Sequence, residues 1–136
     1  DLRLSPLELL NGIIAIAEGR AFRPHIIMRD DSEEIINLEE MSESLLEVRE
    51  GMRDVVRKDY GSAKILADLP VDVAGKTGTP QTSSNTKTNA IFVAYAPADD
   101  PKIAVLVLIE DAREGSLNAL PIARDVFGWY YENRLK

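Results

Sequence analysis

Apolar side chains recur at helical spacing in three stretches of the chain, and the first stretch has clear end signals. Its apolar positions include Leu7, Leu10, Ile14 and Ala17. Ser5 is followed by Pro6 and, three residues on, by Glu8, a capping-box pattern with proline at the first helical position. Gly19 supplies a left-handed stop. The pattern predicts a helix between Ser5 and Gly19.

A second and a third helix are predicted on similar grounds. The second has the apolar stripe Leu45, Val48, Met52 and Val55. It is predicted to begin near Ser44, with Glu47 as the reciprocal cap, and to end by Gly61. The third is predicted over residues 118–134, with Pro121 in its first turn and cations at its C-terminal end.

Strand patterns lie in the second half of the chain, over residues 71–77, 89–96 and 102–110. The proline-rich and aspartate-rich segment 97–101 predicts a turn, and strands joined by a short turn are most simply antiparallel neighbours. The almost unbroken apolar run of the third strand predicts cover on both faces. Weaker strand patterns lie at 25–28 and 34–38. The order of elements predicts an α+β fold, an antiparallel sheet packed with helices, chiefly the first and third.

Composition and charge narrow the possible functions. The net charge of −7 over 136 residues argues against nucleic acid as a partner, because phosphate binding requires a basic surface. The acidic residues between Asp30 and Asp54 are interpreted as a solvated face, since they lack the histidine or calcium-loop spacing of a metal site. The absence of cysteine excludes a thiolate nucleophile. The longest apolar run, 103–109, is too short to cross a bilayer.

The clearest chemical motif is the stretch Val73-Ala74-Gly75-Lys76-Thr77-Gly78-Thr79-Pro80. Its Gly-Lys-Thr matches the end of a phosphate-binding P-loop, but Pro70 stands where that motif needs its first glycine. Gly78 and Pro80 also oppose the helix that must follow a P-loop. The stretch also resembles the Lys-Thr-Gly motif of the serine acyltransferases that react with penicillin.

These residue types suit the binding of a substrate carboxylate and backbone. Lys76 offers a fixed positive charge beside a nucleophile. Thr77 and Thr79 alternate with Gly78, so their hydroxyls can share one face of a strand. Gly78 removes a side chain where a substrate backbone must lie alongside. A backbone amide near Thr79 can donate into an oxyanion hole.

Segments along nearly the whole chain resemble one family, in the order in which that family has them. They are Ser5-Pro6-Leu7-Glu8-Leu9-Leu10-Asn11, Arg23-Pro24-His25-Ile26, Val48-Arg49-Glu50-Gly51-Met52, the motif stretch at 73–79, Asn89-Ala90-Ile91-Phe92-Val93-Ala94-Tyr95-Ala96-Pro97, Asp100-Pro101-Lys102-Ile103-Ala104-Val105 and Pro121-Ile122-Ala123. Together they resemble the transpeptidase domain of class B, monofunctional penicillin-binding proteins of the cell-elongation type. The resemblance implies that residues 1–136 are the C-terminal portion of a penicillin-binding/β-lactamase-like transpeptidase domain.

The same resemblance implies a function and a set of site residues. Lys76, Thr77, Gly78 and Thr79 would be the family's third active-site motif, with Lys76 catalytic and all four binding substrate. The intact enzyme would be a peptidoglycan D,D-transpeptidase that binds stem peptides ending in D-Ala-D-Ala and is trapped by β-lactams, with no metal or organic cofactor. The expected location is the extracytoplasmic face of the bacterial cytoplasmic membrane, with any anchor outside this chain. Other expected partners are the remainder of its own domain and, through exposed apolar surface, a second copy.

The family's nucleophile belongs to a Ser-x-x-Lys motif upstream of the Lys-Thr-Gly strand, so this chain is expected to be a fragment that is inactive alone. Ser84-Asn85-Thr86-Lys87 and Ser83-Ser84-Asn85 imitate the family's serine motifs in the wrong order. They lie in a polar segment that offers no organised base to activate a serine. His25 is expected to be a structural residue at the start of a strand rather than a general base.

Two alternatives remain open. The first is a related serine hydrolase, a β-lactamase or D,D-carboxypeptidase. The predicted helix from Ser44 running into Tyr60-Gly61-Ser62-Ala63 favours the transpeptidase over it. The second is a non-catalytic, β-lactam-sensing or structural paralogue, which would share this half of the domain and differ at the serine.

Overall fold

The structure of the protein, a computed structural model, describes residues 4–27, 33–81, 88–112 and 116–136. These parts contain three α-helices and five strands: α1 (Pro6–Glu18), β1 (Arg20–Phe22), β2 (Glu34–Asn37), α2 (Ser42–Arg57), β3 (Ala74–Gly78), β4 (Thr88–Ala96), β5 (Ile103–Ala112) and α3 (Ser116–Tyr130). Short 3₁₀ turns lie at Glu39–Met41 and Lys64–Leu66, and a π-helical turn at Tyr131–Leu135 continues α3.

The larger sheet has three strands in the order β3-β4-β5, and both strand pairs are antiparallel. Lys76 of β3 lies opposite Val93 of β4, which in turn lies opposite Leu106 of β5. The predicted α+β class and the antiparallel pairing of the three strands are confirmed. Because β4 lies in the middle, β3 is an edge strand of this sheet.

Side chains alternate between the two faces of the sheet, and each face has its own apolar core. On one face Phe92 of β4 shares a core with Phe127 of α3. On the other face Val93 shares a core with Ile13 of α1 and Met52 of α2. The prediction that the first and third helices cover the sheet is confirmed, and α2 adds to the cover on the α1 side.

The ends of α1 are formed as the sequence predicts. Ser5 Oγ accepts a 3.2 Å hydrogen bond from the Glu8 amide, and the Glu8 carboxylate accepts one of 2.7 Å from the Ser5 amide. The Ser5 hydroxyl also donates to the Glu8 carboxylate at 2.8 Å, and the two hydrogen bonds from the Ser5 amide and hydroxyl hold the pKa of Glu8 below its usual range. Gly19 ends the helix in the left-handed region with φ of 80°. The capping box and Gly19 therefore set the start and the end of α1.

The second helix begins two residues before its predicted start and without its predicted cap. The 3₁₀ turn Glu39–Met41 leads directly into the helix, and the residue before the helix makes no side-chain capping bond. Ser44 therefore lies inside the first turn, and the reciprocal cap predicted for Ser44 and Glu47 is wrong. The backbone of the 3₁₀ turn supplies the entry to the helix instead. The helix ends at Arg57, four residues before Gly61.

The third helix also begins two residues early, at Ser116. Pro121 is consequently its sixth residue, and the prediction of a first-turn proline is wrong. Arg124 ties this helix to the turn before β3, since its guanidinium donates to the Ile65 carbonyl at 3.0 Å and to the Asp68 carboxylate at 2.7 Å. Pairing with Arg124 holds the pKa of Asp68 below its usual range. No helix in the described ranges is both long enough and apolar enough to cross a membrane.

The first strong strand is shorter than predicted at its start. It was predicted over residues 71–77, whereas β3 begins at Ala74 and extends to Gly78. Ala74 lies opposite Tyr95, so continued pairing toward residue 71 would reach Pro97 on the partner strand. Proline has no N–H to contribute to the ladder, and the pairing stops before it.

The weak strand predicted at 25–28 is wrong for its described part. Residues 25–27 are irregular, and the strand lies earlier, at Arg20–Phe22, where it pairs with Glu34–Asn37. The Arg23 amide donates 2.8 Å to the Glu33 carbonyl, and Pro24 then lacks the N–H that a continued ladder needs. Residue 28 lies outside the described residues. The strand predicted at 34–38 is confirmed, one residue shorter.

Candidate functional site

The Lys-Thr-Gly residues lie together at the end of an edge strand. Lys76, Thr77 and Gly78 are the last three residues of β3, and Thr79 follows directly. Lys76 and Thr79 are exposed, whereas Thr77 and Gly78 are half-buried. An edge strand presents unpaired N–H and C=O groups on its outer side. The four residues therefore combine a cation, two hydroxyls and open backbone groups, and their role in binding substrate stays a prediction.

The Lys76 ammonium has no carboxylate within salt-bridge distance among the described residues. Its Nζ donates a 2.7 Å hydrogen bond to the Thr77 carbonyl. Neighbouring residues of a strand point to opposite faces, so the Lys76 side chain leaves β3 on the face opposite to that of Thr77. A lysine held only by a neutral acceptor keeps its charge available to an anionic ligand.

The Thr77 hydroxyl has a partner from another part of the chain. Its Oγ1 lies 2.8 Å from the Oγ of Ser62, and either oxygen can be the donor. Ser62 lies fifteen residues earlier, in the turn that follows α2. The sequence analysis placed Ser62 in a segment typical of the family but did not predict this contact, since no local pattern relates the two positions.

Gly75 is a further requirement of the site that the motif analysis did not single out. A Cβ atom at Gly75 would lie 2.8 Å from both Ala94 Cβ and Phe92 Cζ. Both neighbours are fully buried, so neither can move away easily. At Gly78, among the described residues, a Cβ would meet only Ile91 Cβ at 3.6 Å, an ordinary contact. The fold itself therefore demands glycine at Gly75 but leaves room for a side chain at Gly78.

Two contacts fix the backbone just before β3. Arg57, the last residue of α2, donates from Nε at 3.0 Å to one oxygen of Asp72 and from a second nitrogen to the other oxygen. The Asp72 carbonyl accepts a 2.9 Å hydrogen bond from the Ala98 amide. A bidentate arginine–carboxylate pair is geometrically specific. The start of β3 is therefore tied both to α2 and to the turn between β4 and β5.

The segment after β3 lies largely outside the described residues. Its ends are close together, because the Asn89 amide donates 2.9 Å to the Pro80 carbonyl and Gln81 forms an isolated bridge with Thr88. Ser83, Ser84 and Lys87 fall outside the described residues. The prediction that their imitation motif takes no part in catalysis stays a prediction.

Two titratable residues outside the Lys-Thr-Gly motif, His25 and Tyr95, have surroundings that the sequence did not predict. His25 is exposed in an irregular segment, with Nδ1 3.3 Å from the Arg23 carbonyl, so the expectation that it starts a strand is wrong. Tyr95 has a buried hydroxyl with no hydrogen-bond partner among the described residues, and burial raises the pKa of Tyr95 above its usual value. Tyr95 lies opposite Ala74 at the start of β3, which is the end of the strand away from Gly78. In the described ranges no group of three or more acidic or histidine side chains is placed to bind a metal ion.

Comparison with known proteins places most of the chain in one family. The profile of the penicillin binding protein transpeptidase domain matches residues 2–128. The peptidoglycan D,D-transpeptidase MrdA of Haemophilus influenzae is 42% identical over 102 residues, covering 64% of this chain and 16% of that protein. The resemblance stated from the sequence motifs is thereby confirmed.

Solved structures agree with the sequence comparison. The penicillin-binding protein PBP2 of Helicobacter pylori superposes with a TM-score of 0.84 at 26% identity, over 94% of this chain and 24% of that chain. The imipenem acyl-enzyme complex of penicillin-binding protein A from M. tuberculosis superposes with a TM-score of 0.72 at 27% identity, over 93% and 31%. The chain thus spans between 16% and 31% of the length of these three proteins. Because the family profile extends over nearly the entire sequence, this chain belongs to the penicillin-binding protein transpeptidase domain family.

Proposed function

We propose that residues 1–136 form the C-terminal portion of the transpeptidase domain of a class B, elongation-type peptidoglycan D,D-transpeptidase. The name of the Haemophilus influenzae relative, a peptidoglycan D,D-transpeptidase, supports this activity. The acyl-enzyme that the M. tuberculosis relative forms with imipenem supports acylation by β-lactams. The chain covers only part of either protein, so the nucleophilic serine and its lysine are assigned to a preceding Ser-x-x-Lys segment of the intact domain.

The proposed reaction transfers an acyl group in two steps. The serine oxygen adds to the penultimate carbonyl carbon of a stem peptide ending in D-Ala-D-Ala, and its proton passes to the departing nitrogen. The amide bond breaks, terminal D-Ala leaves, and an acyl-enzyme ester remains. The amine of a neighbouring stem peptide then attacks this ester, forms the cross-link and returns the proton to the serine. A β-lactam follows the first step only, because its opened ring stays attached.

The residues of this chain act in the proposal as the binding strand for the donor peptide. Lys76 supplies a fixed cation near the serine, and the Thr77 and Thr79 hydroxyls hold the terminal carboxylate of the donor. A backbone amide near Thr79 donates to the oxyanion that forms at the attacked carbonyl. The observation that carries the proposal is the placement of Lys-Thr-Gly at an open edge of the sheet, with the ammonium unpaired among the described carboxylates.

Location and partners follow from the same proposal. A peptidoglycan substrate requires the domain to lie at the extracytoplasmic face of the bacterial cytoplasmic membrane. Leu46 on α2 is 62% exposed and Val48 is 45% exposed, which agrees with the predicted exposed apolar surface. We assign the cover of this surface to the remainder of the transpeptidase domain, with a second copy of the chain as the other proposed partner.

The test of the proposed function is labelling with a fluorescent penicillin, followed by mass-spectrometric mapping of the adduct. The intact protein should form a one-to-one covalent adduct on a serine that precedes residue 1 of this chain. The isolated chain of residues 1–136 should form none. An adduct on Ser83 or Ser84, or an intact protein that resists labelling while it binds the same penicillin reversibly, would contradict the proposal.

A further inference from the structure

The contact between Ser62 and Thr77 connects the candidate site to a turn on which no function has been placed. We propose that Ser62 is a positioning residue that donates its hydroxyl proton to Thr77 and thereby directs the Thr77 proton toward the substrate carboxylate. The basis is the 2.8 Å distance between the two side-chain oxygens. The inference rests on the proposed function, because it assumes that Thr77 binds a carboxylate.

The turn that carries Ser62 is held firmly to the end of α2. The Ala63 amide donates 3.0 Å to the Val55 carbonyl, and the Gly61 amide donates 2.9 Å to the Lys58 carbonyl. A Cβ at Gly61 would lie 2.3 Å from the Val55 carbonyl oxygen, so the chain can pass this close to the helix only with glycine there. Ala63 is fully buried. Ser62 is thus flanked by two anchored residues, which restricts the position of its hydroxyl.

The chemistry of a carboxylate ligand decides the direction of the hydrogen bond. A hydroxyl group has one proton to donate and two lone pairs that accept. An ionised carboxylate only accepts, so Thr77 must give its single proton to the ligand. If Thr77 instead donated to Ser62, it would turn a lone pair toward the carboxylate. With ligand bound, the order of donation is therefore from Ser62 to Thr77 and from Thr77 to the carboxylate.

Donating its proton to Thr77 leaves the Ser62 hydroxyl with no unsatisfied hydrogen-bonding group. Ser62 is exposed, and its oxygen keeps its lone pairs available to water after its proton is given to Thr77. Consecutive hydrogen bonds that point in one direction polarise one another and become stronger. Ser62, which the fold holds in place, therefore selects one of the two possible orientations of the Thr77 hydroxyl. In that orientation Thr77 is ready to donate to the ligand's carboxylate.

The test compares variants of the intact protein by their second-order rate of acylation with a fluorescent penicillin, which carries the relevant carboxylate. Ser62→Ala is expected to lower the rate about threefold to tenfold, the range expected from the loss of one neutral hydrogen bond. Ser62→Thr keeps the hydroxyl and is expected to restore the parent rate to within about twofold. Thermal melts of both variants are expected to match that of the parent.

A double-mutant cycle separates positioning from a general structural effect. In a Thr77→Val background the hydroxyl that Ser62 orients is gone, so adding Ser62→Ala is expected to change the rate by less than about twofold. An equal loss with and without the Thr77 hydroxyl would overturn the inference, as would an unchanged rate for Ser62→Ala in the parent. Either result would leave the proposed function intact, provided that the parent is acylated. If the parent protein is not acylated, both the inference about Ser62 and the proposed function are contradicted.

Discussion

Replacing Lys76 by alanine is expected to slow acylation of the intact protein by penicillin about a hundredfold or more. The physical reason is the loss of a positive charge that is already in position before the substrate arrives. Nothing in the described chain neutralises this charge, because the Nζ atom contacts only the Thr77 carbonyl. The melting temperature should change little, since the side chain is exposed. The measurements are a second-order acylation rate and a thermal melt for each variant.

Lys87→Ala is the control for Lys76→Ala, because Lys87 is the lysine of the imitation motif. It is expected to leave the acylation rate within about twofold of the parent. Lys76→Arg keeps a cation but changes its shape and hydrogen-bonding geometry, so it should retain more activity than alanine and less than lysine. Equal rates for Lys76→Ala and the parent would mean that the strand has a structural role only.

Replacing Gly75 by alanine is expected to destabilise the domain by about 1–3 kcal/mol, the usual cost of overpacking a core. The new methyl group would lie 2.8 Å from Ala94 Cβ and from Phe92 Cζ, and neither neighbour has an exposed side on which to retreat. Relief of the clash requires β3 to move away from β4. The acylation rate should therefore fall together with the melting temperature.

Gly78→Ala is the matched change in the same strand. Its methyl group would make only an ordinary 3.6 Å contact with Ile91 among the described residues, so the melting temperature should stay within about a degree of the parent. The acylation rate should nevertheless fall about tenfold, because the methyl group occupies the space where the substrate backbone lies. If Gly75→Ala left the melting temperature unchanged, the close packing of Phe92 over β3 would be contradicted. An acylation rate for Gly78→Ala equal to that of the parent would contradict the proposal that the substrate backbone lies alongside Gly78.

The elements that the sequence predicted well are those specified by local chemistry. The first helix has a capping box and a left-handed glycine, and both operate over a few residues. The antiparallel sheet followed from a short turn between two strongly apolar strands. The start of the second helix was missed because the preceding backbone, rather than a capping side chain, leads into α2. Pro97 limits the start of β3 and Pro24 limits the end of β1, because proline lacks the N–H that a hydrogen-bond ladder requires. The sequence prediction did not include this effect.

In the candidate site, too, the sequence predicted the features that a local motif specifies and missed those that depend on tertiary contacts. Lys76, Thr77, Gly78 and Thr79 were identified from one short motif, and the structure places them together at a sheet edge. The requirement for glycine at Gly75 depends on the ring of Phe92 from the next strand, and the partner of Thr77 lies fifteen residues away. Contacts of this kind arise from tertiary packing, and a single sequence has no periodic signal that announces them.

In the proposed reaction β3 holds the carboxylate of the acylating ligand. The most direct test is a crystal structure of the intact protein acylated by a penicillin. We expect the ligand's carboxylate to accept hydrogen bonds of about 2.7 Å from the Thr77 and Thr79 hydroxyls, with Lys76 close to the acylated serine and Ser62 still in contact with Thr77. An acyl group whose carboxylate points away from β3, with neither threonine within about 4 Å, would show that β3 does not bind the ligand's carboxylate.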